Sequence, residues 1–360
     1  MSTHPVTPAP LRSLQSQCCK VRPIPILLAF EQGVLYSVTV CLEKRVAVLS
    51  DQPTLSPSKT AIDALHPRGW AALPERGTPA MLRLIGCIAL RIGRRAARLL
   101  LYPITFYFLI SARAARRVSC DYLMRICGRP ARWWHVFRHF HCFAATILDR
   151  LYLLKGEFAR FNVTVHHSEI LQRQVETGKG CILLGSHLGS FEVLRALGVT
   201  QQDLPLKVLM DIAHNENITR FLDALNREIA NTVIESHRPD VLLRVKESLD
   251  AGFLIGTLGD RITSNGKTAQ CQFLGATATF PAGPIVLAAV MHCPVILFFG
   301  IYRGGNRYEI YFEQLAEEIL LDRDRRLENT QYWTQRYADR LEYYTRLAPY
   351  NWFNFYPFWS

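Results

Sequence analysis

From Phe158 onward, short apolar runs alternate with helical segments, several closing on glycine, and that alternation leaves few folds open. An apolar run of about four to eight residues between turn signals reads as a strand buried on both faces, and an intervening helix returns the chain for parallel pairing. "FNVTVHHS" and "CILLGS" are strands separated by the amphipathic helix "EILQRQVETG", which closes at Gly178. "FEVLRALG" is the next helix and "LPLKVLM" the next strand, and "NITRFLDALNREIA", "NTVIES", "RPDVLLRVKESLDAG" and "FLIGTLGD" continue the series. Near the end, "PVILFFGIYRG" and "RYEIYFEQL" read as a strand pair joined through Gly304, Gly305 and Asn306, followed by a charged helix over 323–346. The expectation is an α/β protein with a mostly parallel, mixed sheet covered by helices.

Four stretches differ in style. Residues 1–68 carry Pro, Ser and Thr clusters around one apolar run and read as a weakly ordered extension; a long polar stretch before that run argues against a signal peptide. Residues 69–157 form a basic, helical region, 158–350 the α/β domain and 351–360 an aromatic tail. The chain closes on "PYNWFNFYPFW", in which seven of eleven residues are aromatic.

The net charge of +12 is concentrated. Between Met81 and Arg150 stand 13 arginines and no lysine against Asp121 and Asp149, a local charge of +11. Such a block expects an anionic partner: phospholipid headgroups, an acidic carrier protein or nucleic acid. The plainer reading is a solvated, arginine-rich helical hairpin. The uncharged run Leu99 to Ala112 has 14 residues, short of the roughly 20 that cross a bilayer. It reads as a segment lying in the headgroup zone with arginines reaching to phosphates, or as a buried helix of ordinary length. The ten cysteines show no C-x-x-C pair and no regular spacing, so neither zinc nor a disulfide framework is indicated, and a reducing compartment fits.

The chemistry concentrates in "GSHLGSFEVLRA", residues 185–196, where a buried strand turns into a helix. Ligands of open α/β sheets sit beyond the carboxyl ends of the strands. A hydrolase elbow G-x-S-x-G needs serine at its centre, and here that place holds His187, between Gly185, Ser186 and Leu188, Gly189. A metal site would need His187 and Glu192 joined by His166 or His167, and lacks the usual zinc spacing. A general base is the third reading. In one continuous helix, five residues would set His187 and Glu192 about 140° apart around the axis. They meet only if His187 precedes the helix, in a turn that Gly185 and Gly189 make feasible. Glu192, near the helix N-terminus, would then accept from one ring nitrogen, leaving the other to take a proton from a hydroxyl.

At these residues the chain resembles the bacterial lipid A late acyltransferases, the lauroyl and myristoyl transferases related to glycerolipid acyltransferases, over roughly residues 80 to 350. The mark is His, four residues, then an acid in a strand-to-helix turn, here His187 to Glu192. The "GDR" turn of Gly259, Asp260 and Arg261, the element "FLGATATFPAGPIVLAA" from Phe273 and Gly275, and a strand reaching Arg303 follow in the expected order. The basic N-terminal segment is shorter than the single anchor common among lipid A enzymes, and the tail marks an outlying branch.

The resemblance implies an O-acyltransferase on the cytoplasmic face of the cell inner membrane, in lipid A or related glycolipid biosynthesis. The fatty acyl group would pass from an acyl carrier protein or CoA thioester to a hydroxyl of a lipid or glycolipid. His187 and Glu192 would be catalytic, and Arg261, Asp260, Gly259, Ser186, Gly189, Phe273, Gly275 and Arg303 would bind substrate, Arg261 at a phosphate. Neither metal nor cofactor is implied. The alternatives are a catalytically inactive membrane scaffold of the same fold, or an acyltransferase for another acceptor such as a polyene or an aminolipid.

Two rivals are weaker. "RITSNGKT" places Arg261 where a phosphate-binding loop has its first glycine, and no helix follows it. A nucleic-acid binder could stack bases on Trp133 and Trp134, but that leaves the elbow unexplained, so no nucleic-acid partner is expected.

Overall fold

A computed structural model describes residues 88–194, 204–210, 232–262 and 266–359. The apolar runs become strands β1 (Asn162–His166), β2 (Ile182–Gly185), β3 (Leu206–Met210), β4 (Val233–Glu235), β5 (Leu254–Leu258), β8 (Val295–Gly304) and β9 (Arg307–Ala316) of one sheet, in the order β1-β9-β8-β2-β5-β3-β4. A separate hairpin consists of β6 (Thr268–Phe273) and β7 (Ala276–Pro281). β8, β2, β5, β3 and β4 pair parallel to one another; β9 returns antiparallel beside β8, and β1 runs parallel to β9. The reversal is the expected strand pair: Gly304 and Gly305 carry φ of 94° and 63°, conformations that favour glycine at a tight turn.

The pleat sorts the apolar runs onto two faces, because successive strand residues point to opposite sides. On β8, Val295, Leu297, Phe299 and Ile301 belong to one buried cluster, while Ile296 and Phe298 belong to the other. The first cluster takes in Ile285 and Ala288 of the helix Gly283–Met291 (α6), Val245 and Leu249 of Val241–Asp250 (α5), and Tyr337, Leu341 and Tyr344 of Arg326–Leu347 (α7). The second takes in Ala97 and Leu101 of Arg94–Ser111 (α1), Leu148 and Leu151 of Trp133–Leu154 (α3), and Leu171 of Ser168–Glu176 (α4). The second half of "FEVLRALG", all of "NITRFLDALNREIA", and residues 1–87 lie outside the described residues.

The basic region is helical where described. α1 is followed by Arg113–Cys127 (α2), which stops at Gly128 with φ 65°, and then by α3. Ala97, Leu101, Thr105 and Leu109 recur every fourth residue on α1 and are buried, whereas Leu99, Tyr102, Phe106 and Ile110 are exposed. Among the described residues, no helix is long and apolar enough to cross a membrane.

Part of the positive block turns inward rather than facing a partner. Arg94 makes two 2.8 Å hydrogen bonds with the Asp149 carboxylate on α3, which is 0% exposed. Tyr308 donates to the same carboxylate at 2.9 Å, Arg94 also donates to the Gly305 carbonyl at 2.6 Å, and Arg98 bonds Tyr302. One carboxylate thus fastens α1 and α3 to the β8–β9 hairpin through a bidentate, fully desolvated contact. Removing one partner of such a buried pair leaves the other charge without compensation. Asp149→Ala is therefore expected to cost about 3–5 kcal/mol of stability, read as a lower urea midpoint at unchanged slope.

Candidate active site

β2 and β5 are neighbours in parallel register, with Gly185 opposite Leu258. Their ends are locked at the Gly185 carbonyl, which accepts from Gly259 N at 3.0 Å and from the Tyr337 hydroxyl at 2.8 Å. A side chain at Gly259 would make its neighbours shift, since its Cβ would stand 2.8 Å from the Leu184 side chain and 3.1 Å from the Tyr337 ring. Two residues beyond each strand end the register sets His187 against Asp260, at the carboxyl edge where α/β sheets hold ligands.

Asp260 accepts three N–H groups. Its Oδ1 lies 2.8 Å from His187 Nδ1, and its Oδ2 receives His187 N at 3.0 Å and the Trp352 indole Nε1 at 3.0 Å. The carboxyl is 2% exposed, and the imidazole side chain keeps 28%. Burial would raise the Asp260 pKa, but the charge and hydrogen bonds of His187, with Arg261, hold it below the ordinary value. Burial and the Arg261 guanidinium hold the His187 imidazole below its ordinary value, against the pull of Asp260. The ring is thus neutral near pH 7. An ionised carboxylate can only accept, so Nδ1 carries the proton and Nε2 presents its lone pair.

The turn that offers this nitrogen depends on close backbone approaches. Gly189 has φ 74° and donates to the Asn351 carbonyl at 2.8 Å, and Ser190 N donates to the Gly300 carbonyl at 2.8 Å. A Cβ at Gly189 would collide with that Gly300 oxygen. Ser186 is buried just before the imidazole. Phe353 N donates to the His187 carbonyl at 2.9 Å, and Arg261 donates to the Phe353 carbonyl at 3.0 Å.

The orienting hydrogen bond thus comes from a different acid than the H-x4-E spacing implied. Glu192 is buried and lies 2.6 Å from Arg150 of α3, while the ring's carboxylate partner is Asp260, expected only among substrate contacts. Spacing along the chain senses neighbours within a few residues, and Asp260 arrives from 73 residues away through strand pairing. A signal was present: "LLGSH" and "TLGD" each put the functional residue two places past an apolar strand. Arg150 was missed as well, and its charge, like that of Arg261, bears on the imidazole.

The remaining candidates sit as follows. Arg303 bonds Glu309 at 2.8 Å and reaches Tyr311, within the β8–β9 pair. Phe273 is fully buried and packs edge-on against Trp352 at 5.2 Å, so it supports the indole that holds Asp260. Gly275, with φ 79°, makes the β6–β7 turn beside Leu274. Among the described residues, no group of three or more His, Cys, Asp or Glu side chains could hold a metal. His166 lies on β1, separated from β2 by β9 and β8, and stacks on Tyr311 at 4.3 Å. What remains is a neutral imidazole backed by a buried carboxylate, with two guanidinium groups acting on it: equipment for deprotonating a hydroxyl near an anionic group.

The family model of the bacterial lipid A biosynthesis acyltransferases matches residues 144–360, which include β1 to β9, His187, Glu192 and Asp260. Comparison with the curated proteins gave no match.

The packing at the elbow has a direct test. Gly189→Ala is expected to displace the turn from β8, lowering the thermal midpoint and abolishing activity together. Wild-type stability in that variant would show that the turn has more freedom than the Gly300 contact allows.

Proposed function

The chain belongs to the bacterial lipid A biosynthesis acyltransferase family, and on that footing we propose that it transfers a fatty acyl group from an acyl carrier protein or CoA thioester to a hydroxyl of a lipid or glycolipid. The observation that carries this reading is the Nδ1 hydrogen bond from His187 to buried Asp260, which leaves Nε2 free to act as a base. Nε2 takes the hydroxyl proton as the acceptor oxygen attacks the thioester carbonyl carbon. The tetrahedral intermediate collapses with cleavage of the C–S bond, and the imidazolium returns the proton to the departing thiolate. Asp260 stabilises the imidazolium through the Nδ1 proton, without itself being protonated. No nucleophilic serine or cysteine takes part, because a thioester is already an activated acyl group.

Arg261 and Arg150 supply positive charge for a phosphate of donor or acceptor, and Glu192 acts by holding Arg150 in place. The exposed Leu99, Tyr102, Phe106 and Ile110, in an uncharged run flanked by arginines, and Trp133 beside Arg132 suit docking on the anionic cytoplasmic face of the inner membrane.

His187→Ala is expected to lower kcat by about 10²–10⁴-fold with the fold retained. Asp260→Asn should lose more rate than Glu192→Gln, which leaves the His187–Asp260 contact intact; the reverse order would return the orienting role to Glu192. The lowered His187 pKa gives the pH dependence its sign. The rate should hold through neutral pH and fall on acidification, as the base is protonated at a pH below the ordinary imidazole range. A fall already under way above that range would contradict the assignment.

The acceptor is identified by lipid mass spectrometry of cells lacking the protein. Loss of one acyl group from a lipid A-type glycolipid is the expected result. Loss from a polyene or aminolipid would move the acceptor and keep the reaction, and an unchanged lipid profile would count against the enzyme reading.

A further inference from the structure

The aromatic tail has no part in the chemistry above, yet it runs through the site. The Tyr122 hydroxyl on α2 donates to the Pro349 carbonyl at 2.8 Å, and the Asn351 amide exchanges hydrogen bonds of 2.8 and 3.2 Å with the Tyr302 backbone on β8. Leu188 and Trp352 form an antiparallel bridge, so the segment lies against the catalytic turn as a short extra strand. The Trp352 side chain is 1% exposed and is held by Tyr122, Phe273 and Phe358, with ring centroids 5.2, 5.2 and 4.9 Å away.

Trp352 is bound at both ends. Its indole N–H donates to Asp260 Oδ2 at 3.0 Å, and its backbone carbonyl accepts from His139 Nε2 at 2.9 Å. His139 Nδ1 in turn lies 2.7 Å from the Ser119 hydroxyl, which donates to it. His139 is completely buried, and burial lowers its imidazole to about 4 against the bond to the Trp352 carbonyl. A neutral ring with one donor and one acceptor nitrogen is what these two partners require.

We propose that Trp352 is a positioning residue for acyl transfer: its indole N–H pins Oδ2 of Asp260 so that Oδ1 faces His187 Nδ1, and the Ser119–His139 pair anchors Trp352 to helices α2 and α3. The inference rests on the reading of His187 as the base. A carboxylate can rotate about its χ2 bond, and two donors on Oδ2 restrain that rotation where one would not. The indole also disperses charge. Without it the buried carboxylate attracts the imidazolium more strongly, and the His187 pKa should rise. The other charged and titratable groups acting on the pair, Arg261, Arg150, Tyr337 and Tyr356, are left in place by a change at 352.

The test replaces the donor and keeps the shape. Trp352→Phe removes the N–H along with part of the ring, and incorporation of benzothienylalanine at 352 removes only the N–H. Activity is followed as thiol release from dodecanoyl-acyl carrier protein and from dodecanoyl-CoA, with a lipid extract of cells lacking the protein as acceptor. Both changes are expected to lower kcat by about ten-fold to a hundred-fold, the range for losing one hydrogen bond to a charged group. KM for the thioester should change little, the acid limb of the rate profile should move to higher pH, and the benzothienylalanine protein should stay cooperatively folded, with a thermal midpoint lowered but still well above the assay temperature. A wild-type kcat and acid limb in the benzothienylalanine protein, alongside an impaired Asp260→Asn, would overturn the role of Trp352 alone. So would a rate loss that merely tracks lost stability with the acid limb unmoved. Full activity in Asp260→Asn would overturn the His187–Asp260 reading, and the role of the indole with it.

Discussion

A carboxylate shut away from water at the mouth of the sheet must find a donor for each oxygen, and Asp260 does so by gathering three N–H groups from two distant parts of the chain. That requirement brings the β2 turn, the β5 turn and the aromatic tail to one point. It also explains why the imidazole has one tautomer: with the carboxylate ionised and its hydrogen bonds directed, the proton sits on Nδ1. The glycines at 189 and 300 are the steric counterpart, since their backbones approach more closely than side chains would allow.

A second buried carboxylate plays the equivalent part in the helical layer. Asp149 gathers Arg94, Arg98 and Tyr308 and ties α1 and α3 to the hairpin of β8 and β9. From the same helix, Arg150 reaches Glu192 beside the catalytic turn. Charges that look like one basic block along the chain therefore divide by environment. Some are consumed inside the protein, one pairs with Glu192 near His187, and others, such as Arg91, Arg95, Arg113, Arg117 and Arg129, are exposed. The same helical layer carries Ser119 and His139, so it reaches the surroundings of His187 both through the Arg150–Glu192 pair and through Trp352.

Legibility followed the range of the interactions. β2, β5 and β8 were readable because a strand buried on both faces must be apolar throughout, β9 because its apolar and polar residues alternate, and the glycines between β8 and β9 marked the reversal. The placement of β1 beside β9 was not readable, since it depends on which edge of the sheet is free. His187 stood out because a titratable ring at a strand-to-helix turn has few structural reasons to be there. An acid five residues away, Glu192, is visible along the chain, whereas the carboxylate that bonds the ring stands 73 residues away and no spacing rule connects the two.

By itself, the sequence determined the layered α/β architecture, the turn that carries His187 and the short reach of the apolar segment near the arginines, all from local periodicity, glycine placement and spacing. Tertiary structure decided which carboxylate bonds the His187 imidazole, which arginines turn inward, and that the aromatic tail packs against the His187 turn. Those outcomes depend on strand register and desolvation, which bring together residues that no spacing rule connects.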